Sequence, residues 1–212
     1  MSSVAADPPA DAGAGTTAAV AGPPHGAPVI PDFEIVPRVG LVLAGVVLVA
    51  LVVAVATNGI WGLEFMHVAF GAAWTTIDLF MGFVLGPILG HMSVQARIEL
   101  STRLMPKMLV IMPAVVTATL VGGWQLSTKL GTNQQAFVNH GWVVASMIVV
   151  GVMAILALGL LEPANIAVLI ELKKKRPRPD VIEHLMKRFI YCSGVIGALQ
   201  IATLVIMTKL AS

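Results

Sequence analysis

Charge is scarce in this chain. Asp, Glu, Lys and Arg make up 11% of its 212 residues, against about 25% in an ordinary globular domain. With 57% of residues hydrophobic, a deficit of that size keeps most of the chain out of contact with water. Cysteine is nearly absent too. The single Cys192 excludes an intramolecular disulfide and any Cys-based zinc or iron–sulfur centre. The formal net charge of +2 supplies no broad basic surface, so no nucleic-acid partner is expected. Dyad alternation is missing from the apolar runs, which are also too long for barrel strands, and only helices remain as spanning structure.

What the sequence does contain falls into two parts. Residues 1–38 are Ala, Pro, Gly and Ser with scattered acids (Asp7, Asp11, Asp32, Glu34). So little large apolar surface cannot offset chain entropy, and a disordered cytoplasmic tail is expected. It has no basic n-region and is not a secretory signal; Ala54-Val55-Ala56 looks like a cleavage site, but the run before it is longer than a signal core and reads as an uncleaved anchor. Residues 39–212 form a five-helix transmembrane domain, with spans near Gly40–Thr57, Gly62–Leu89, Met108–Leu126, Trp142–Leu161 and Phe189–Met207. Each approaches the roughly 20 apolar residues that a bilayer requires. The second exceeds it and should tilt, kink near Pro87 or emerge from the membrane.

Lys and Arg set the orientation. With the N-terminus inside, eleven of the thirteen basic residues are cytoplasmic and only Lys129 and Lys209 lie outside, as the positive-inside rule requires. Trp61, Trp124 and Trp142 all fall at the outer helix ends, where an aromatic belt belongs. The expectation is a multi-pass protein of a bacterial inner membrane, N-terminus in and C-terminus out. The first helix has no polar packing face and reads as peripheral. The other four carry small and polar residues suited to close packing, among them Gly71, Thr119, Ser193 and Gln200. The fold class is therefore all-α: a four-helix transmembrane bundle plus one peripheral N-terminal helix.

The second helix carries the candidate chemistry. At 100° per residue, His67, Gly71, Trp74 and Asp78 project onto one face. An intramembrane carboxyl is costly and faces protein or a water-filled cavity. No Lys or Arg lies at matching depth, so desolvation favours a neutral Asp78, which is either an interhelical hydrogen-bond donor or a proton-relay group. His67 is either an interfacial histidine bonded to a carbonyl or headgroup, or a metal or haem ligand. His140, opening the fourth helix on the same side, leaves a bis-His arrangement open. Met105, Met108 and Met112 form a stripe at helical spacing that reads as packing. Glu162-Pro163 marks a bend at the inner boundary, with an ion-pathway role for Glu162 as the alternative. The run Lys173–Arg178 is a topology determinant and, secondarily, a lipid-headgroup site.

From Phe65 onward the chain resembles the HemJ-type membrane proteins and their CopD-like relatives. The features are His67 with Trp74 seven residues on; Ile111-Met112-Pro113-Ala114 with Gly122-Gly123-Trp124 closing the same helix; Trp142 opening the next; and a final apolar helix. The resemblance implies a four-helix core, haem b held near the outer leaflet with His67 as ligand to the iron, and oxidation of protoporphyrinogen. Where the family places a lysine four residues after the tryptophan that Trp142 resembles, this chain has Ser146; that departure touches the oxidase activity, not the bundle or the haem. The functional expectation is a redox-associated membrane protein binding haem b through His67, Gly71, Trp74 and His140, within a respiratory or electron-transfer complex of other membrane subunits. The rivals are a cofactor-free accessory subunit whose polar stripe is packing glue, and a permease-like protein for a metal or small solute.

Overall fold

The structure, a computed structural model, describes residues 29–174 and 178–211. It is all-helical, with no strand among the described residues. Helix α1 spans Arg38–Thr57, α2 Ile60–His91, α3 Val94–Leu130, α4 His140–Leu172 and α5 Pro179–Ala211. All five are long and apolar enough to cross a membrane. Trp61, Trp124 and Trp142 lie exposed at one end of the helix assembly, the tryptophan end. The α2–α3 turn and the α4–α5 connection lie at the other, the basic end.

Helices α2 and α3 pack antiparallel, α5 returns along α2, and α4 runs along α5 and meets α3 through its second half. Helix α1 lies against α3 and the start of α2 and buries only Gly40, Leu51 and Ala54. Val42, Val46, Val49 and Val53 on its other faces are exposed. At the tryptophan end, Lys129 Nζ donates to the carbonyl of Asn58, a residue held in the left-handed region (φ 49°) at the α1–α2 turn.

Three helices run further at the basic end than their apolar runs do. Helix α3 starts at Val94 rather than near Met108, α4 continues to Leu172 rather than ending at Leu161, and α5 begins at Pro179 rather than near Phe189. These extensions are amphipathic. On α3, Ile98, Ser101, Thr102 and Met105 are buried while Glu99, Arg103 and Lys107 are exposed, the spacing of a half-solvated helix. Ser93 caps its start by accepting from the Ala96 N–H. The inward faces build a second apolar core from Ile98, Met105, Val168, Leu169, Leu172, Ile182 and Met186.

The segment expected to be a disordered tail lies outside the described residues up to 28. Residues 29–37 have no helix yet are held at this basic end. Gln95 accepts from the Val29 N–H (2.9 Å) and donates to its carbonyl (2.7 Å). Ile30, Phe33 and Ile35 pack on the second core, and Lys173 sits 4.8 Å over the Phe33 ring. The α4–α5 connection is tied by buried Glu171, which accepts from Lys174 and from both the backbone N–H and the guanidinium of Arg178.

Prolines shape two helices. Helix α2 is π-helical over Phe80–Leu85, and α4 over Ala157–Leu161. Pro87 and Pro163 follow closely; each lacks an N–H and crowds the carbonyl four residues back, which is Phe83 or Gly159, inside the π-helical stretch. The wider turn lets each helix continue. The bend expected at Glu162-Pro163 is thus a π-helical turn within a helix that runs on.

Candidate functional site

The face presented by His67, Gly71, Trp74 and Asp78 does turn toward protein, but its two ends meet different surroundings. At the tryptophan end, α3 brings Gly122 and Gly123 against α2. A methyl built on Gly122 would lie 3.0 Å from the backbone nitrogen of His67, and one on Gly123 only 2.6 Å from Cε1 of its ring. The half-buried imidazole lies over this glycine pair, with Nδ1 2.9 Å from the carbonyl oxygen of Thr119. One turn on, Gly71 faces the Thr119 methyl, 3.4 Å from where a Cβ would stand. The gap left by glycine is therefore filled by α3.

Haem does not fit this arrangement. The groove beside Gly71 that would take the porphyrin is occupied by α3, whereas the Nδ1–Thr119 contact engages only one ring nitrogen. His140 opens α4, whose first half packs on α5, and no hydrogen bond among the described residues links it to His67. Ser146 is buried on the same half of α4. No three His, Cys, Asp or Glu side chains converge as a metal site among the described residues.

Toward the middle of α2 the surroundings become polar. Asp78 is 2% exposed and accepts from Gln200 Nε2 of α5 (3.4 Å). Gln200 Oε1 in turn accepts from the Thr75 hydroxyl (2.9 Å). Asp78 is thus tied across the α2–α5 interface, accepting through Oδ2. Thr117 and Thr119 satisfy their hydroxyls on the carbonyls four residues back and stay outside this network. Close approach permits the crossing: a methyl on Gly82 would stand 3.1 Å from the Ser193 carbonyl.

Just below, toward the basic end, α2, α3, α4 and α5 line a partly open cavity of about 20 Å³, room for one water-sized species. Its polar walls are Asp78, Glu162, Asn165 and Ser193; Met108 and Met112 from the methionine stripe, with Phe189, close its apolar side. Asn165 donates through Nδ2 to the Met105 carbonyl (3.4 Å), which leaves its Oδ1 toward other partners. Asn165 Oδ1, Ser193 Oγ and Glu162 Oε2 are buried without a hydrogen-bond partner. No Lys, Arg or His lines the cavity. The neighbours in sequence that carry charge, Lys107 and Arg188, are exposed, as are His91 and His184. The π-helical turn of α4 ends at Leu161, and Glu162 and Asn165 follow on the inward side.

Of the residues singled out from sequence, the structure gathers Asp78 with Glu162 and the methionines, and separates them from His67 and His140. Asn165 was missed. Its signal, an amide three residues beyond Glu162 on the same helical face, was present. Family models, curated proteins and solved structures all fail to match the chain, so its resemblance to the HemJ-type and CopD-like families rests on the short motifs themselves.

Proposed function

We propose that the protein is a multi-pass protein of a bacterial inner membrane, N-terminus cytoplasmic and C-terminus outside, whose work is to load and release a proton inside a bundle of α2–α5. In this reading α1 is a peripheral helix facing lipid, and the basic end is cytoplasmic. The observation that carries it is the pairing of two acidic side chains, Asp78 and Glu162, on one cavity within the bundle, with no basic group lining it. Two ionised carboxylates in such a place are prohibitively costly, so at least one carries a proton or shares a cation. A site of that kind belongs to proton-coupled membrane proteins or to a proton-handling subunit of a larger membrane complex.

The test is proton movement across liposomes containing the purified protein, followed with an entrapped pH-sensitive dye under an imposed potential. Asp78→Asn and Glu162→Gln should each cut the protein-dependent rate at least about tenfold, corresponding to about 1.4 kcal/mol on the barrier. Equal rates for the wild type, both variants and empty liposomes would defeat the reading. The accessory-subunit alternative draws on the Thr75–Gln200–Asp78 chain as helix glue. It predicts that Asp78→Asn, which keeps a hydrogen-bonding side chain, leaves every function intact. Haem b and an electron-transfer role retain only the motif resemblance as support, and an absorption spectrum without a Soret band after haem-replete expression removes them.

A further inference from the structure

We infer that the cavity among α2, α3, α4 and α5 is a binding site for one sodium ion, stripped of its water and taken up in exchange for a proton from the Asp78–Glu162 pair. This rests on the proton-handling reading and adds a substrate to it.

The donor set points to a hard cation. Asn165 and Ser193 are 2% and 1% exposed, and the oxygen of each is buried without a partner at the wall of the same cavity. The Asn165 amide is oriented by its own Nδ2, which donates to the Met105 carbonyl. The atom left for the cavity is therefore an acceptor. Glu162 Oε2 is likewise unpartnered. A buried oxygen left without a partner in an apolar bundle is costly, and three together at one void call for a ligand that accepts lone pairs. Carboxylate, amide and hydroxyl oxygens suit alkali and alkaline-earth cations, whereas imidazole and thiolate, preferred by zinc or copper, are missing from the walls.

Charge and size narrow the choice. The titratable groups facing the cavity are Asp78 from α2 and Glu162 from α4. Helix α3 presents Met108 and Met112, and α5 presents Phe189 and Ser193. One carboxyl of the pair keeps its proton throughout, so the other carries a single negative charge that either a proton or one monovalent cation neutralises. In the exchange this other carboxyl gives up its O–H proton to solvent and its oxygen takes Na⁺, so the site's charge is unchanged and no electrons move. Magnesium dehydrates reluctantly and demands near-ideal octahedral geometry, which these side chains do not supply. Potassium is larger than sodium and takes a wider shell of oxygens, which fits a cavity of about 20 Å³ less well.

Calorimetric titration of the full-length protein in detergent tests this, with NaCl added against choline chloride at constant ionic strength and proton release followed by an indicator dye. The expected result is saturable heat for one sodium per chain, release of close to one proton, and apparent affinity that rises about tenfold per pH unit while the exchanged carboxyl is protonated. Ser193→Ala, which removes a single hydroxyl, and Asn165→Ala should each weaken sodium binding at least fivefold while leaving the proton titration of the pair in place. No saturable sodium signal, equal signals from KCl or choline chloride, a tighter response to MgCl₂ or CaCl₂, or unchanged affinity in both variants overturns the inference. If the pair titrates and sodium has no effect, the sodium site falls and the proton reading stands. If Asp78→Asn and Glu162→Gln leave the proton titration unaltered, both fall.

Discussion

Glycine 123 decides what His67 is able to do. Because it carries no side chain, the imidazole rests directly on the α3 backbone and its Nδ1 reaches the Thr119 carbonyl. Gly123→Ala should push the ring out and loosen α2 from α3, costing roughly 1–3 kcal/mol as overpacking does. The check is thermal unfolding of the detergent-solubilised protein beside Gly45→Ala, whose Cβ meets nothing within 4 Å. A melting point unchanged by Gly123→Ala would mean that this contact is not tight. The same residues show what a sequence conceals. The helical period placed His67, Gly71, Trp74 and Asp78 on one inward face correctly, but whether the glycine gap opens to a ligand or to a neighbouring helix depends on α3, more than 40 residues away.

Individual helices were legible wherever apolar length alone defined them, and their ends were misjudged wherever amphipathic turns took over. The α3 extension carries Glu99, Arg103 and Lys107 on its outer side, so a search for uninterrupted apolar runs stops short of it. Glu162 was read as a boundary for the same reason, since an acid beside a proline ends an apolar run in sequence but continues a helix through a π-helical turn. At the α4–α5 connection the Lys174 ammonium, followed by the Arg178 contacts, holds the Glu171 carboxyl below its ordinary 4.5. A depressed folded-state value means that this carboxylate stabilises the connection at pH above that ordinary value and stops doing so as pH falls through the folded one. Amide hydrogen exchange over residues 168–183 should therefore stay slow from pH 7 to about 5, after correction for intrinsic rates, and quicken below the ordinary carboxylate range of about 4. Glu171→Gln should show fast exchange across the whole range. A pH-independent exchange pattern in the wild type would contradict this role.

Among the described residues most basic side chains gather at one end and Trp61, Trp124 and Trp142 at the other, and this large-scale pattern was the most readable feature of the sequence because it needs no pairing information. Reporter fusions after Lys129 should signal the periplasm and fusions after Arg178 the cytoplasm; a cytoplasmic signal at Lys129 would break the five-span arrangement. The cavity was not readable in the same way. It is assembled from Asp78, Glu162, Asn165 and Ser193 on three helices, and the Asp78–Gln200 bond joins positions 122 apart. No local period reports such a meeting. The proposed function requires Asp78 and Glu162 to hold an exchangeable proton within the bundle. Infrared difference spectroscopy of the sodium-free protein reports on it most directly, through the carbonyl stretch of a protonated carboxylic acid. A band at neutral pH that disappears at alkaline pH, and is lost or shifted in both Asp78→Asn and Glu162→Gln, is the predicted result. A spectrum without a protonated carboxyl at neutral pH, or one that both substitutions leave untouched, contradicts it.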